Sequence, residues 1–341
     1  IIMKNITKVG LSALAGSLVM VSANAVDYSM SGGLQSVYTT QKNPTGADTT
    51  NGKGLSTATD LTFTAAGELD NGFTVGYMMA VDTNGALSNT SSQLTVGMGS
   101  LGTLQVNNKG GSKANAIDDV TPHAYNETWD GLSTVNPSTF GSRTSSGSLD
   151  YRIPAQELMG LTINGSLTYD PNAGGAGATK GDVGVGSQSG TAVTLQIAHA
   201  SGLEIGAGQE KVDLQATTKS HDLVRHTGYV KFATGGLTIA HQEAVEDGAA
   251  SGTDSNPDKE ATMTGVAYTA GDFTVSYGES EVEVAAIGTT AALSTIELTS
   301  IQAAYTMGAM TVSAAMSETD NDNGVAAQKY EENTLAVTFA F

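Results

Sequence analysis

The sequence predicts an all-β protein, a transmembrane antiparallel up-and-down β-barrel of about 16 strands with a long inward-folded third loop. Three observations carry that expectation. The final residues, Thr334-Leu335-Ala336-Val337-Thr338-Phe339-Ala340-Phe341, place Leu335, Val337, Phe339 and Phe341 on one face of an extended strand. The ends of soluble domains fray and are polar, whereas an apolar face carried to the last residue suits a strand closing a barrel against lipid. A module of glycine, large apolar residue, Thr or a substitute, and apolar residue recurs as Gly72-Phe73-Thr74-Val75, Gly160-Leu161-Thr162-Ile163 and Gly236-Leu237-Thr238-Ile239. It returns as Gly271-Asp272-Phe273-Thr274-Val275 and Gly308-Ala309-Met310-Thr311-Val312. The turn glycines at 236, 271 and 308 are about 36 residues apart, two strands with one short and one longer connection, which marks hairpins rather than the shorter, more uniform coils of a solenoid. Third, short glycine-containing turns alternate with long polar connections.

At the N-terminus, Met3-Lys4-Asn5-Ile6-Thr7-Lys8 is basic, Val9 to Val21 is apolar, and Ala23-Asn24-Ala25 supplies a small-x-small cleavage site. Residues 1–25 therefore read as a cleaved signal peptide starting at Met3, with a retained amphipathic anchor as the alternative, and residues 26–341 as one barrel domain. No other run approaches the ~20 apolar residues of a spanning helix, so a membrane form has to be a β-barrel. With the turns as anchors, strands are expected near 27–40, 56–69, 73–82, 91–99, 103–108, 146–153, 161–170 and 191–200. They continue at 203–211, 222–233, 237–246, 259–269, 273–283, 293–306, 310–317 and 329–341. The ninth and fourteenth alternate poorly; Leu161, Ile163, Leu167 and Tyr169 against Thr162, Asn164, Ser166 and Thr168 alternate well. Short turns follow Leu69, Gly99, Pro154, Ala200, Thr234, Ala270 and Met307. Long loops fall at 41–55, 83–90, 109–145, 171–190, 212–221, 247–258, 284–292 and 318–328. Short inner turns and long outer loops describe a barrel of the bacterial outer membrane. A soluble sandwich would leave both the leader and the apolar last residue unexplained.

Composition narrows function. The formal charge of -19 becomes -21 without the leader's Lys4 and Lys8, which excludes a basic nucleic-acid groove. It leaves open a cation-attracting pore or an acidic, ion-bridged cell surface. With no cysteine there is neither a disulfide framework nor a thiolate metal site. His123, His199, His221, His226 and His241 show no metal spacing. No nucleophile–base pair stands out, so no enzyme and no cofactor are expected. Asp118-Asp119 is compatible at most with a loosely bound Ca²⁺. The longest connection, 109–145, holds the only Trp, Trp129, with Tyr125, Asp118, Asp119, Glu127 and Asp130. A loop of that length is usually functional or disordered; its aromatics suggest inward packing, and a solvated outer loop is the other reading.

A resemblance rests on several short stretches. These are Lys8-Val9-Gly10-Leu11-Ser12-Ala13-Leu14-Ala15-Gly16-Ser17-Leu18, the first strand Tyr28-Ser29-Met30-Ser31-Gly32-Gly33-Leu34, and the terminal Phe341. The most specific is Arg143-Thr144-Ser145-Ser146-Gly147-Ser148-Leu149-Asp150-Tyr151-Arg152-Ile153-Pro154. Together they resemble the Gram-negative general diffusion porins, the sixteen-stranded trimeric type, closest to those of alphaproteobacteria. Ser146 replaces the family's Asn, and its acidic loop-tip motif is not recognisable. The resemblance implies a water-filled pore narrowed by loop 109–145, with acidic candidates Asp118, Asp119, Glu127 and Asp130 facing a basic wall. Such opposed charges create a transverse field that orients dipolar solutes and sets ion preference.

Strand parity nominates Arg152, Arg225 and Lys231 for that wall, because charge at the lipid-facing midplane costs ~2–4 kcal/mol; Arg143 stands at the loop exit. Phe339 and Phe341 are expected to serve closure and assembly. The expected function is passive diffusion of small hydrophilic solutes and ions with cation preference, in a homotrimer. The expected partners are outer-membrane lipid, lipopolysaccharide and the outer-membrane assembly machinery. The alternatives are a substrate-selective channel, with Tyr125 and Trp129 as a stacking surface, and a non-conducting acidic surface or adhesion barrel.

Overall fold

The computed structural model describes residues 26–43, 51–82, 88–132, 134–173, 189–213, 222–248, 250–251, 254–255, 257–287 and 291–341; the expected signal peptide lies outside them. The first eight strands are β1 (Asp27–Lys42), β2 (Gly52–Glu68), β3 (Thr74–Asp82), β4 (Ser88–Gly97), β5 (Thr103–Asn108), β6 in two segments (Ser148–Arg152 and Gln156–Leu158), β7 (Leu161–Asp170) and β8 (Gly190–His199). The rest are β9 (Leu203–Val212), β10 (Leu223–Thr234), β11 (Leu237–Asp247), β12 (Lys259–Ala270), β13 (Phe273–Val284), β14 (Ile296–Met307), β15 (Met310–Asp320) and β16 (Lys329–Ala340). Each pairs antiparallel with its sequence neighbour, and β16 pairs with β1 from Gly33↔Ala340 to Lys42↔Glu331, so sixteen strands close into a barrel. Phe341 finishes the seam by exchanging two 2.9 Å backbone hydrogen bonds with Gly32. Closure satisfies every edge, which a sheet in hydrocarbon requires.

The faces are inverted relative to a soluble protein. Leu34, Tyr77, Leu167, Leu195, Ile205, Phe273, Tyr305, Leu335 and Phe339 are exposed outward. Gln105, Asp150, Thr168, Thr194, Thr227, Gln242, Ser276, Ser300 and Gln302 are buried inside. An apolar exterior around a polar interior fits lipid outside and water within.

Strand positions agree with the sequence reading within a few residues (β4 is Ser88–Gly97 where 91–99 is expected, and β14 starts at Ile296 where 293 is expected), and β2, β15 and β6 depart from it for a reason. β2 starts at Gly52 and β15 runs to Asp320, longer than the apolar alternation alone marks, because polar outer ends extend the ladder beyond the lipid-facing band. β6 breaks over 153–155 and resumes, so its turn falls at Met159–Gly160 (φ 52° and 81°) instead of directly after Pro154. Pro154 has no N–H to give the ladder, which explains the break. β9 alternates regularly in space: Leu203, Ile205 and Ala207 point outward, and Glu204, Gly206 and Gly208 point in.

Candidate functional site

The chain between β5 and β6 does not cross the barrel mouth; it descends inside. Lys109, Gly110 and Gly111 all have positive φ (61°, 92° and 105°), which turns the chain inward as it leaves β5. The φ of 105° at Gly111 is one that glycine adopts without strain, and a Cβ there would in addition have to displace the Gln93 amide. The Arg152 guanidinium clamps this entry, donating at 3.0 Å to the Gly111 carbonyl and pairing at 2.9 Å with Asp150. Beyond it, Ala114, Ile117 and Phe140 pack with Ala192 of β8 and Tyr229 of β10.

Neutral side chains of the wall then hold the outgoing leg. Gln242 of β11 accepts from the Val120 N–H (2.8 Å) and donates to the carbonyls of Ile117 (2.9 Å) and Asp118 (3.0 Å). Ser276 of β13 accepts from the Ala124 N–H (2.9 Å). Gln302 of β14 accepts from the N–H groups of Tyr125 (2.8 Å) and Asn126 (3.1 Å) and donates to the Asn126 carbonyl (2.6 Å). Each such bond is worth about 0.5–1.5 kcal/mol net, and together they satisfy loop amides that would otherwise be buried unpaired. Three inward glycines let the loop lie close to the wall. A Cβ at Gly208 or Gly278 would overlap Phe140 or Thr128, and one at Gly265 would press on Thr121 and Pro122 at 3.0 Å.

Beyond the last of these bonds Trp129 packs against a second apolar cluster, of Leu132 with Ala261, Val282, Ile296, Leu298 and Tyr330. The loop's largest aromatic is therefore seated on the wall, with its indole N–H buried and unpartnered. Tyr125 reaches the other way, its hydroxyl meeting Gln35 of β1, and its pKa is raised by burial and by the nearby Glu332 charge. The return leg, Thr134 to Thr144, runs back over β9–β12 and is held mainly by charged groups. Glu210, Arg225, Glu246 and Lys259 all contact it.

The four acidic candidates converge. The Asp118 carboxylate accepts from Asn115 Nδ2 (3.0 Å) and the Asp119 N–H (3.0 Å). Asp119 accepts from the Thr121 N–H (2.7 Å) and hydroxyl (2.6 Å), and its other oxygen is buried without a partner. Burial, reinforced by the charge of Asp119, pushes Asp118 up to about 6. Burial, reinforced by the charges of Asp119, Asp118 and Asp130, pushes Glu127 up to about 8. Asp119 and Asp130 are also raised, chiefly by burial, with His123 acting against the rise in both. The charges of Asp118, Asp119 and Asp130 all act on Glu127, and His123 acts on Asp119 and Asp130, so the four carboxyl groups lie near enough to influence one another. Among the described residues, no group of three or more His, Asp or Glu is arranged to hold a metal ion.

The basic candidates are placed differently. Arg152, Arg225 and Lys231 face inward as parity predicts, but each has a carboxylate partner on the wall. Arg152 has Asp150; Arg225 has Glu210 (2.9 Å) and Glu246 (2.6 Å); Lys231 has Glu204 (3.3 Å) and lies 5.9 Å from the centre of the Tyr229 ring. Arg225 is only 7% exposed, beneath the return leg rather than facing the lumen. The side chain of Arg143 makes no ion pair among the described residues, while its N–H donates to Glu210 (3.1 Å). The wall is basic by residue type and largely neutralised by pairing. Gln242, Ser276, Gln302, Glu210 and Lys259 were not singled out by sequence, and Glu246, which reads from sequence as an outer-loop carboxylate of a solvated surface, instead lies largely buried on β11 and paired with Arg225. Their only signal was inward parity on strands facing a long loop.

Comparisons with known proteins agree with this fold. The family described as Gram-negative porin matches residues 10–341. The fold is similar to an anion-selective porin from Comamonas acidovorans (11% identity, TM-score 0.67, 93% of this chain and 100% of that one). It is similar to Salmonella typhi OmpF in complex with daunomycin (13%, 0.68, 92% and 97%). It is also similar to the in-vitro folded trimer form of OmpT, an outer membrane protein of Vibrio cholerae (12%, 0.63, 94% and 100%). No curated protein matches the chain.

Proposed function

The chain belongs to the Gram-negative porin family and sits in the outer membrane as a diffusion pore, and from that premise we propose that it is a cation-preferring homotrimer. The observation that carries the preference is an imbalance of charge. Asp118, Asp119, Glu127 and Asp130 lie on the loop with no Lys or Arg ion pair among the described residues, while the wall bases Arg152, Arg225 and Lys231 are each tied to a carboxylate. A narrow aqueous gap bordered by net negative charge concentrates cations and lowers their entry barrier. The trimer is supported by the trimeric form of a similar fold. The anionic, cation-bridged lipopolysaccharide layer and the outer-membrane assembly machinery are the partners this setting supplies. No catalytic step or bound cofactor enters this reading.

Reversal potentials across a planar bilayer in a salt gradient test it. The wild type should reverse on the cation side, and conductance should step in threes. D118N/D119N/E127Q/D130N should lose most of the preference. An anion-selective wild type would overturn the proposal, and so would a quadruple variant with unchanged selectivity. A substrate-selective channel with a Trp129–Tyr125 stacking surface is less well supported, because the indole is committed to the wall cluster.

A further inference from the structure

Four charged side chains form one row around the inside of the barrel. Direct cross-strand pairing places Glu210 of β9 opposite Arg225 of β10, Arg225 opposite Glu246 of β11, and Glu246 opposite Lys259 of β12. The signs alternate along the row, and Arg225 bridges its two neighbours at 2.9 and 2.6 Å. Every member also reaches the return leg. Glu210 accepts from the N–H groups of Gly141 (3.2 Å) and Arg143 (3.1 Å) and from the Thr144 hydroxyl (3.0 Å). Arg225 donates to Ser142 Oγ (3.2 Å), Glu246 accepts from the Thr139 hydroxyl (3.0 Å), and Lys259 donates to the Asn136 carbonyl (3.0 Å). Six positions spread over Asn136 to Thr144 are thus gripped by one charged row, against the neutral amide and hydroxyl side chains that hold Val120 to Asn126.

We propose that Glu210–Arg225–Glu246–Lys259 is a latch whose members are positioning residues for the constriction, and that opening it frees the return leg while the outgoing leg stays seated. The two legs are held by different strands through different chemistry. Among the described residues, Gln242, Ser276 and Gln302 hydrogen-bond to the outgoing leg and not to the return leg, and the row bonds to the return leg and not to Val120–Asn126. Phe140 does pack with Ile117 of the outgoing leg, but apolar contact is non-directional; it keeps the return leg near without fixing its register. The row fixes register because charged hydrogen bonds are directional and a buried charge cannot be left unpaired cheaply. Removing Glu210 takes away three bonds to the leg and leaves Arg225 half-satisfied. Replacing Arg225 by Lys keeps the charge, but one ammonium cannot span both carboxylates and Ser142 as the planar guanidinium does. A loosened return leg lies inside the lumen and so occludes it intermittently.

This inference rests on the pore reading, and its main test does not require conduction. The chain contains no cysteine, so one introduced thiol reports alone. Thr144, on the return leg, is 0% exposed, and Thr128, on the outgoing side, is 4% exposed. T144C and T128C are labelled with a membrane-impermeant maleimide in the full-length folded protein, each with and without E210A; since T144C itself removes the Thr144–Glu210 bond, the comparison reads the loss of Glu210's bonds to Gly141, Arg143 and Arg225. The expected result is labelling of T144C faster by about tenfold or more with E210A, and of T128C unchanged. R225K should act in the same direction, and single-channel records of E210A should show frequent brief closures. If E210A does not assemble, E210Q carries the same expectation at smaller size, with far-UV circular dichroism confirming the barrel. Unchanged T144C labelling overturns the latch; so does a joint rise at both positions, because the loop would then leave the wall as one body. A well-folded barrel that never conducts would overturn the pore reading while leaving the labelling result standing.

Discussion

Gln302 shows how much a single lumen side chain does. Its amide satisfies the N–H groups of Tyr125 and Asn126 and the carbonyl of Asn126, all within the barrel. Q302A is expected to cost about 1–3 kcal/mol, the penalty of leaving buried backbone groups unpaired, visible as a lower thermal midpoint of the folded protein. Glu127 carries a second prediction. Its pKa is raised to about 8 by burial first and then by three neighbouring acids. A raised carboxyl favours the folded loop in its neutral form: that stability is complete below the ordinary carboxyl range and lost as pH rises through about 8. The same rise adds a negative charge to the gap. Cation preference should therefore grow between about pH 6 and pH 9, and E127Q should flatten the upper part of that rise. A pH-independent reversal potential in the wild type would contradict it.

Elements explain both what the sequence disclosed and what it hid. β7 and the C-terminal half of β16 were legible because apolar outward residues alternate without a break with small or polar inward ones: in β7, Leu167 and Tyr169 out, Ser166 and Thr168 in. β9 was obscure because Gly206 and Gly208 take inward positions where a reader looks for polar side chains. Gly208 is there to admit Phe140 and Ile117, a demand made by a loop some 70 residues earlier. β6 misled through Pro154, which breaks the ladder without ending the strand. The loop's inward fold was legible from Trp129. Its pegs were not, since Gln242 and Gln302 look like any water-facing residue until the loop is laid over them. A substitution follows from the close approach: G278V should displace Thr128 and disturb the seat of Trp129 beside it. Tryptophan fluorescence is a direct probe, because Trp129 is the chain's only indole, and a red shift of its emission is the expected outcome. An unchanged spectrum would mean that the loop tolerates the added side chain.

For the whole molecule, the decisive contact is between the ends. Phe341 and Gly32 exchange backbone hydrogen bonds, and ten further residue pairs, from Gly33↔Ala340 to Lys42↔Glu331, complete the seam. Phe339 stands opposite Leu34 and Phe341 lies against Gly32, both within the apolar exterior. Deleting Phe341 should lower recovery of folded barrel from the outer membrane much more than it changes the conductance of the barrels that do form. A large change in conductance instead would give this residue a role in the pore.

The loop also divides the barrel mechanically. From β8 round to β16 the wall is backed from within by the loop, its two apolar clusters and the charged row. From β2 to β5 the described contacts consist of the sheet itself, apart from the loop's entry beside Gln93 and Gln105. Bending stiffness rises steeply with thickness, so thermal breathing and lateral pressure from the bilayer should concentrate in the single-layered arc. The bore would then flex as an ellipse hinged on its lined side, changing aperture without breaking a strand pair.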